Sequence, residues 1–159
     1  MTNELTFRFA EEKDCPLILF FIRELAAYEK MLDEVVATEE LLREGIYQKQ
    51  KAEVLFACEN GREVGFALFF HNFSTFLGRP GLYLEDLFVL PEHRGKGYGK
   101  AILKELARIA VERGCCRMEW WCLDWNRPSI DFYTSLGAAP MSEWTVYRLT
   151  GDTLTGLAE

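Results

Sequence analysis

Apolar and polar positions alternate with period two over residues 5–9, which predicts a short strand. The rhythm then changes. Leu17, Phe20, Phe21, Leu25 and Tyr28 recur at helical spacing, with Asp14 placed to cap that helix and Pro16 tolerated in its first turn. A shorter helix is expected from Thr38, with Glu39 and Glu40 in the first turn where the helix dipole favours acids, and Gly45 as its stop. Residues 54–58 and 64–70 read as two strands joined through Glu59, Asn60, Gly61 and Arg62, because Asn-Gly favours the positive φ of a tight hairpin. Residues 71–79 read as a loop closed by Pro80 and Gly81, and 82–90 as a long apolar strand. A glycine-rich turn over 91–98 leads into a helix over 99–113, with Ile102, Leu103, Leu106 and Ala110 on one face and Gly114 after it. A strand over 115–123, a helix opened by Asp124 or Asn126 and running to Leu136 before Gly137, and a last strand over 145–149 complete the pattern. Strands flanking single helices imply a mixed α and β class around one sheet.

The length, 159 residues, fits a single domain over 1–159. Hydrophobic residues make up 49% and charged residues 27%, proportions of a chain that folds around a core. The first residues lack a charged-then-apolar leader pattern, and the apolar runs are too short to span a bilayer, so the expectation is a cytoplasmic protein without a membrane partner. Five cysteines, an odd number without a C-x-x-C pair, suit a reducing compartment. His71 and His93 stand alone, so no metal site is expected.

Charge sharpens the picture. The net charge is −7, yet residues 91–114 hold three acids and six bases. A nucleic-acid binder would present a broad basic face, so no nucleic-acid partner is expected. A basic island in an acidic chain suits an anionic ligand at the island and a cationic one elsewhere.

The island coincides with the strand–glycine–helix junction. Helix N-terminal amides attract anions, and glycines let backbone approach a phosphate without a Cβ between. Arg94, Lys96 and Lys100 add charge there. The spacing excludes a P-loop, since Gly99-Lys100 is followed by Ala101 and Arg94 takes the first glycine position. It excludes a dinucleotide fingerprint too, since Lys100 stands where the third glycine belongs. What remains is R-x-x-G-x-G: Arg94, Gly97 and Gly99.

That pattern resembles the acetyl-CoA pyrophosphate loop of the GNAT acetyltransferase superfamily. A second block agrees: Asn126, Ser129, Phe132, Tyr133 and Gly137 resemble the superfamily's N-x-x-(A/S)-x-x-(F/L)-Y-x-x-x-G motif. Residues 24–29 and 82–89 resemble the diamine (spermidine/spermine) and thialysine acetyltransferase branch. The resemblance implies a central, mostly antiparallel twisted sheet of about six to seven strands, flanked by about four helices and splayed between the fourth and fifth strands. It implies acetyl-CoA as co-substrate, a homodimer, and direct acetyl transfer to a primary amine of a small cationic substrate. By the same resemblance, Leu87, Phe88, Val89, Arg94, Gly95, Lys96, Gly97, Tyr98, Gly99, Lys100, Asn126, Pro128, Ser129 and Phe132 hold the coenzyme. Tyr28, Glu29, Glu85, Asp86 and Glu143 line the amine side. Glu85 is the expected base, acting through water, and Tyr133 the expected acid. Three alternatives stand beside this reading: a protein or peptide amine as acceptor, a non-catalytic acyl-CoA-binding dimeric module, and an acyl-enzyme on Cys58 or Cys122.

Overall fold

The structure is a computed structural model describing residues 4–159. Its residues group into two compact units, one ending at Trp121 and one covering Cys122 to Glu159, and each is described by itself.

The first unit holds one five-stranded sheet in the order β1-β2-β3-β4-β5. The strands are β1 (Leu5–Phe9), β2 (Glu53–Glu59), β3 (Arg62–Ser74), β4 (Arg79–Val89) and β5 (Met118–Trp120). The first three pairings are antiparallel and the last is parallel. The β2–β3 turn forms as predicted, with Asn60 at φ +51° and Gly61 at φ +82°, the two positive angles its geometry demands.

Helix α1 (Cys15–Tyr28) lays Ile18 and Phe21 on one sheet face, where Phe21 stacks on Phe66 at 5.3 Å between ring centroids. Alternation along β2 sends Val54, Phe56 and Cys58 into the same cluster. Helix α3 (Tyr98–Glu112) buries Ile102, Leu103, Leu106 and Ala110, the face its spacing predicts, and packs against β3 and β4. Ile102, Leu103 and Leu106 each contribute roughly 1.5–3 kcal/mol by leaving water, and Ala110 less. Gly65 lets α3 sit close, since a Cβ there would meet the Phe88 carbonyl oxygen at 3.0 Å and Ile102 Cδ1 at 3.2 Å.

Several boundaries differ from the sequence reading. Asp14 does not cap α1 with its side chain; it pairs with Arg8 at 2.8 Å and accepts the Glu11 amide at 2.7 Å, clamping β1 to the helix entry. Helix α2 (Glu39–Leu42) is capped as expected, Thr38 Oγ1 accepting the Leu41 amide, but Gly45 does not end the winding. A π-helical turn (Arg43–Gln48) continues through it and carries Ile46 into the core, with the Lys49 amide donating to Glu44 O. The loop expected over 71–79 is mostly strand. β3 runs on to Ser74, and the turn is confined to 75–78 because Gly81 lets β4 press against Asn72.

The strand expected over 115–123 shrinks to Met118–Trp120, which pairs with Leu82–Leu84. Beyond Leu84 a bulge intervenes: Leu68 faces Asp86 and Phe69 faces Leu84, so Glu85 is the extra residue. The bulge follows directly on the last β4 residue paired with β5, Leu84.

The second unit contains α4 (Arg127–Ser135) and α5 (Gly151–Leu157). Asn126 is the cap of α4, its Oδ1 accepting the Ser129 amide, and Gly137 at φ +93° follows the helix end. The strand predicted over 145–149 is not formed: these residues are exposed and belong to no regular element. The described residues thus contain five strands, fewer than the six to seven implied. Helix α5 went unpredicted because its GDTLTGL sequence is poor in helix formers.

Candidate active site

The site begins where β4 ends. After Val89, a 3-10 turn (Pro91–His93) leads to Arg94 and the glycines. Gly95 and Gly97 both sit at φ +79°, a left-handed conformation that costs a residue with a Cβ roughly 1–2 kcal/mol. Gly97 then caps α3, and the first helical bond runs from the Ala101 amide to Gly97 O. The amides of Gly99 and Lys100 therefore have no acceptor within the helix. A Cβ built on Gly95, Gly97 or Gly99 meets nothing within 4 Å, so bare backbone faces open space along this stretch. That is the surface a diphosphate requires: oriented amides, a positive dipole end and no side chain between.

The basic side chains of the loop lie in three different settings. Arg94 turns back toward the strand end. Its Nε donates to Val89 O at 3.0 Å, and its guanidinium lies 4.7 Å from the Tyr28 ring centroid and 5.0 Å from that of Phe88. Lys96 Nζ pairs with Glu59 at 3.0 Å. Lys100 stays exposed in the first turn of α3.

A second group of residues meets at the bulge. Tyr28 and Glu29 lie at the end of α1, far before β4 in the chain, yet the Tyr28 ring is 6.1 Å from Phe88. Glu85, at the bulge, is exposed, while Asp86 is half-buried. Burial, then the charges of Glu85 and Glu29, push the Asp86 carboxyl up to about 7. Burial also raises Glu29. Four of the predicted amine-side residues thus converge within the first unit, next to the strand end that leads to the glycine loop. Leu87 is half-buried, and Phe88 and Val89 are buried, so their backbone rather than their side chains is available.

The remaining predicted residues belong to the second unit. Pro128 occupies the first turn of α4, Phe132 and Tyr133 follow as half-buried neighbours with ring centroids 5.6 Å apart, and Glu143 is exposed beyond the helix. Cys58 does not suit an acyl-enzyme: it is 5% exposed, and burial raises its thiol above the usual range, leaving little thiolate at neutral pH. Glu59 escaped the sequence reading, since nothing in the chain pattern links it to a loop 37 positions away.

The acetyltransferase (GNAT) family matches residues 19–138. Thialysine N-epsilon-acetyltransferase of Bos taurus is 40% identical over 163 aligned residues, covering 95% of each chain. Spermidine/spermine N(1)-acetyltransferase-like protein 1 of Homo sapiens is 37% identical over 95% of this chain, which spans 23% of that protein. Among solved structures, an integron cassette protein from the mobile metagenome of V. cholerae superposes with a TM-score of 0.82 at 30% identity, covering 100% of this chain and 99% of that one. On the family match, the full-length relatives and the glycine loop between β4 and α3, the chain belongs to the GNAT acetyltransferase family and is an N-acetyltransferase.

Proposed function

We propose that this chain moves an acetyl group from acetyl-CoA directly to a primary amine of a small cationic substrate: a polyamine, a diamine, or a thialysine- or lysine-like amine. One observation carries the substrate class: Glu29, Glu85 and Asp86 gather at the β4 bulge beside the strand that feeds the glycine loop. Carboxylates held together repel one another, and an ammonium group relieves that repulsion. The relatives named for thialysine and spermidine/spermine point the same way.

Acetyl-CoA supplies the acetyl group as a thioester. The residues that would hold it are the backbone of Gly95, Gly97 and Gly99, with Lys100, at its diphosphate, and the backbone of Leu87, Phe88 and Val89 along its pantetheine arm. Asn126, Pro128, Ser129 and Phe132 of α4 are assigned to the same arm by motif.

An amine of lysine-like pKa is almost wholly protonated at neutral pH, and freeing its lone pair costs about 4–5 kcal/mol. Glu85 takes that proton through water, being exposed where the strand bulges. Asp86 holds the cation: a proton shared near neutrality leaves Asp86 as an arriving ammonium takes its place. Tyr133 donates to the departing thiolate. The protein is assigned to the cytoplasm as a homodimer of single-domain chains, with Trp144, Val146 and Tyr147, exposed by 77%, 69% and 92%, as the surface supporting self-association.

The test is release of free thiol from acetyl-CoA across a panel of polyamines, diamines, thialysine, lysine and N-terminal peptides. Turnover with the small cationic amines is expected. A panel in which only peptides react replaces the substrate class, and a silent panel removes the function. Tyr133→Phe should lower kcat by roughly 10²-fold or more while leaving coenzyme affinity unchanged; full activity would take Tyr133 out of the mechanism.

A further inference from the structure

The glycine loop has two faces. On one, positions 95, 97 and 99 present backbone to open space. On the other, His93, Lys96 and Tyr98 converge on a single carboxylate. Lys96 Nζ lies 3.0 Å from Glu59 Oε2 and 3.4 Å from Oε1, the Tyr98 hydroxyl donates to Glu59 Oε2, and His93 Nδ1 is 3.4 Å from the same oxygen. Tyr98 is 7% exposed and the Glu59 side chain 12%, while Lys96 reaches them from the exposed side of the loop. The base of the anchor is firm. Glu59 ends β2 opposite Leu5 on one side and Arg62 on the other, directly before the Asn60-Gly61 turn.

We infer that Glu59 is a positioning residue for the coenzyme: it fastens the back of the loop to the sheet so that the glycine face keeps the curvature a diphosphate fits. The inference rests on the acetyl-CoA reading above. Lys96 accordingly serves the loop as a tie to Glu59 rather than as a phosphate ligand. Hydrogen bonds from Tyr98 and Lys96 hold the Glu59 carboxyl below the usual glutamate range, so the anchor stays ionised at neutral pH.

The sign of a single substitution separates this from simple charge. If Glu59 only competed with phosphate for Lys96, removing its charge would free the lysine and tighten coenzyme binding. If it positions the loop, removal loosens the cradle and weakens binding. Calorimetry with CoA should show Kd rising at least fivefold in Glu59→Gln, with the KM for acetyl-CoA rising in parallel and kcat at saturation within twofold of wild type. Glu59→Asp, which keeps the charge on a shorter arm, should fall between the two and serves should the glutamine variant not fold. Unchanged or tighter CoA binding in a folded variant overturns the inference while leaving the acetyl-CoA reading standing. Wild-type protein that gives no heat with CoA removes that reading, and the inference with it.

Discussion

Asp86 shows how one residue can serve a site at the expense of the fold. An ordinary aspartate titrates near 3.8, whereas burial beside Glu85 and Glu29 raises this one to about 7. The folded chain therefore keeps a proton that the unfolded chain releases, and stability falls as pH rises from about 4 to about 7. Asp86→Asn carries no charge to bury. It should be more stable than wild type at pH 8 by roughly 2–4 kcal/mol and about equal at pH 4, as read by urea unfolding at both values. A variant no more stable at pH 8 contradicts the burial argument. On the proposed role of Asp86, its ionised form would attract the cationic amine, so the amine KM should decrease as pH rises through about 7; a flat KM profile separates Asp86 from substrate binding.

At the scale of elements, the decisive unit is β4, the glycine loop and α3 taken together. The bulge at Glu85 interrupts the register of β4 against β3, and the two left-handed glycines then lead the backbone into the start of α3. Gly97→Ala tests the loop. A Cβ there meets no neighbour within 4 Å, so the cost to the fold is the left-handed conformation alone, roughly 1–2 kcal/mol. The same methyl group stands on the face assigned to the diphosphate, so CoA affinity should fall by more than tenfold while thermal unfolding shifts by only several degrees. Wild-type affinity in that variant would place the coenzyme elsewhere. The neighbouring β2–β3 hairpin belongs to this unit functionally, because its last β2 residue holds Lys96 and Tyr98.

For the whole molecule, the exposed aromatic strip in the second unit sets the expectation of self-association. Light scattering should give about twice the 18.4 kDa chain mass at micromolar concentration, and Tyr147→Glu should halve it. A monomeric wild type retires the dimer.

Periodicity made most of the elements legible, because a repeat of 3.6 or 2 follows from which side of an element faces the core. Phe21, Ile102 and Leu106 are read correctly from spacing alone, and so is the Asn60-Gly61 turn, whose backbone angles belong to those residue types. The glycine loop was legible for the same local reason. Strand ends were not. Ser74, the last residue of β3, depends on its pairing with Arg79, and a ladder's length depends on two strands at once. Residues 145–149 alternate like a strand yet belong to no regular element. Local sequence therefore determined the main helices, the β2–β3 turn and the glycine backbone at the start of α3. Tertiary structure alone decided that Glu29 charges Asp86's surroundings, that Arg94 lies against Tyr28, and that Glu59 ties down the loop. Electrostatics and hydrogen bonding act through distance in space, and spacing along a chain carries no such distance once the chain has turned back on itself.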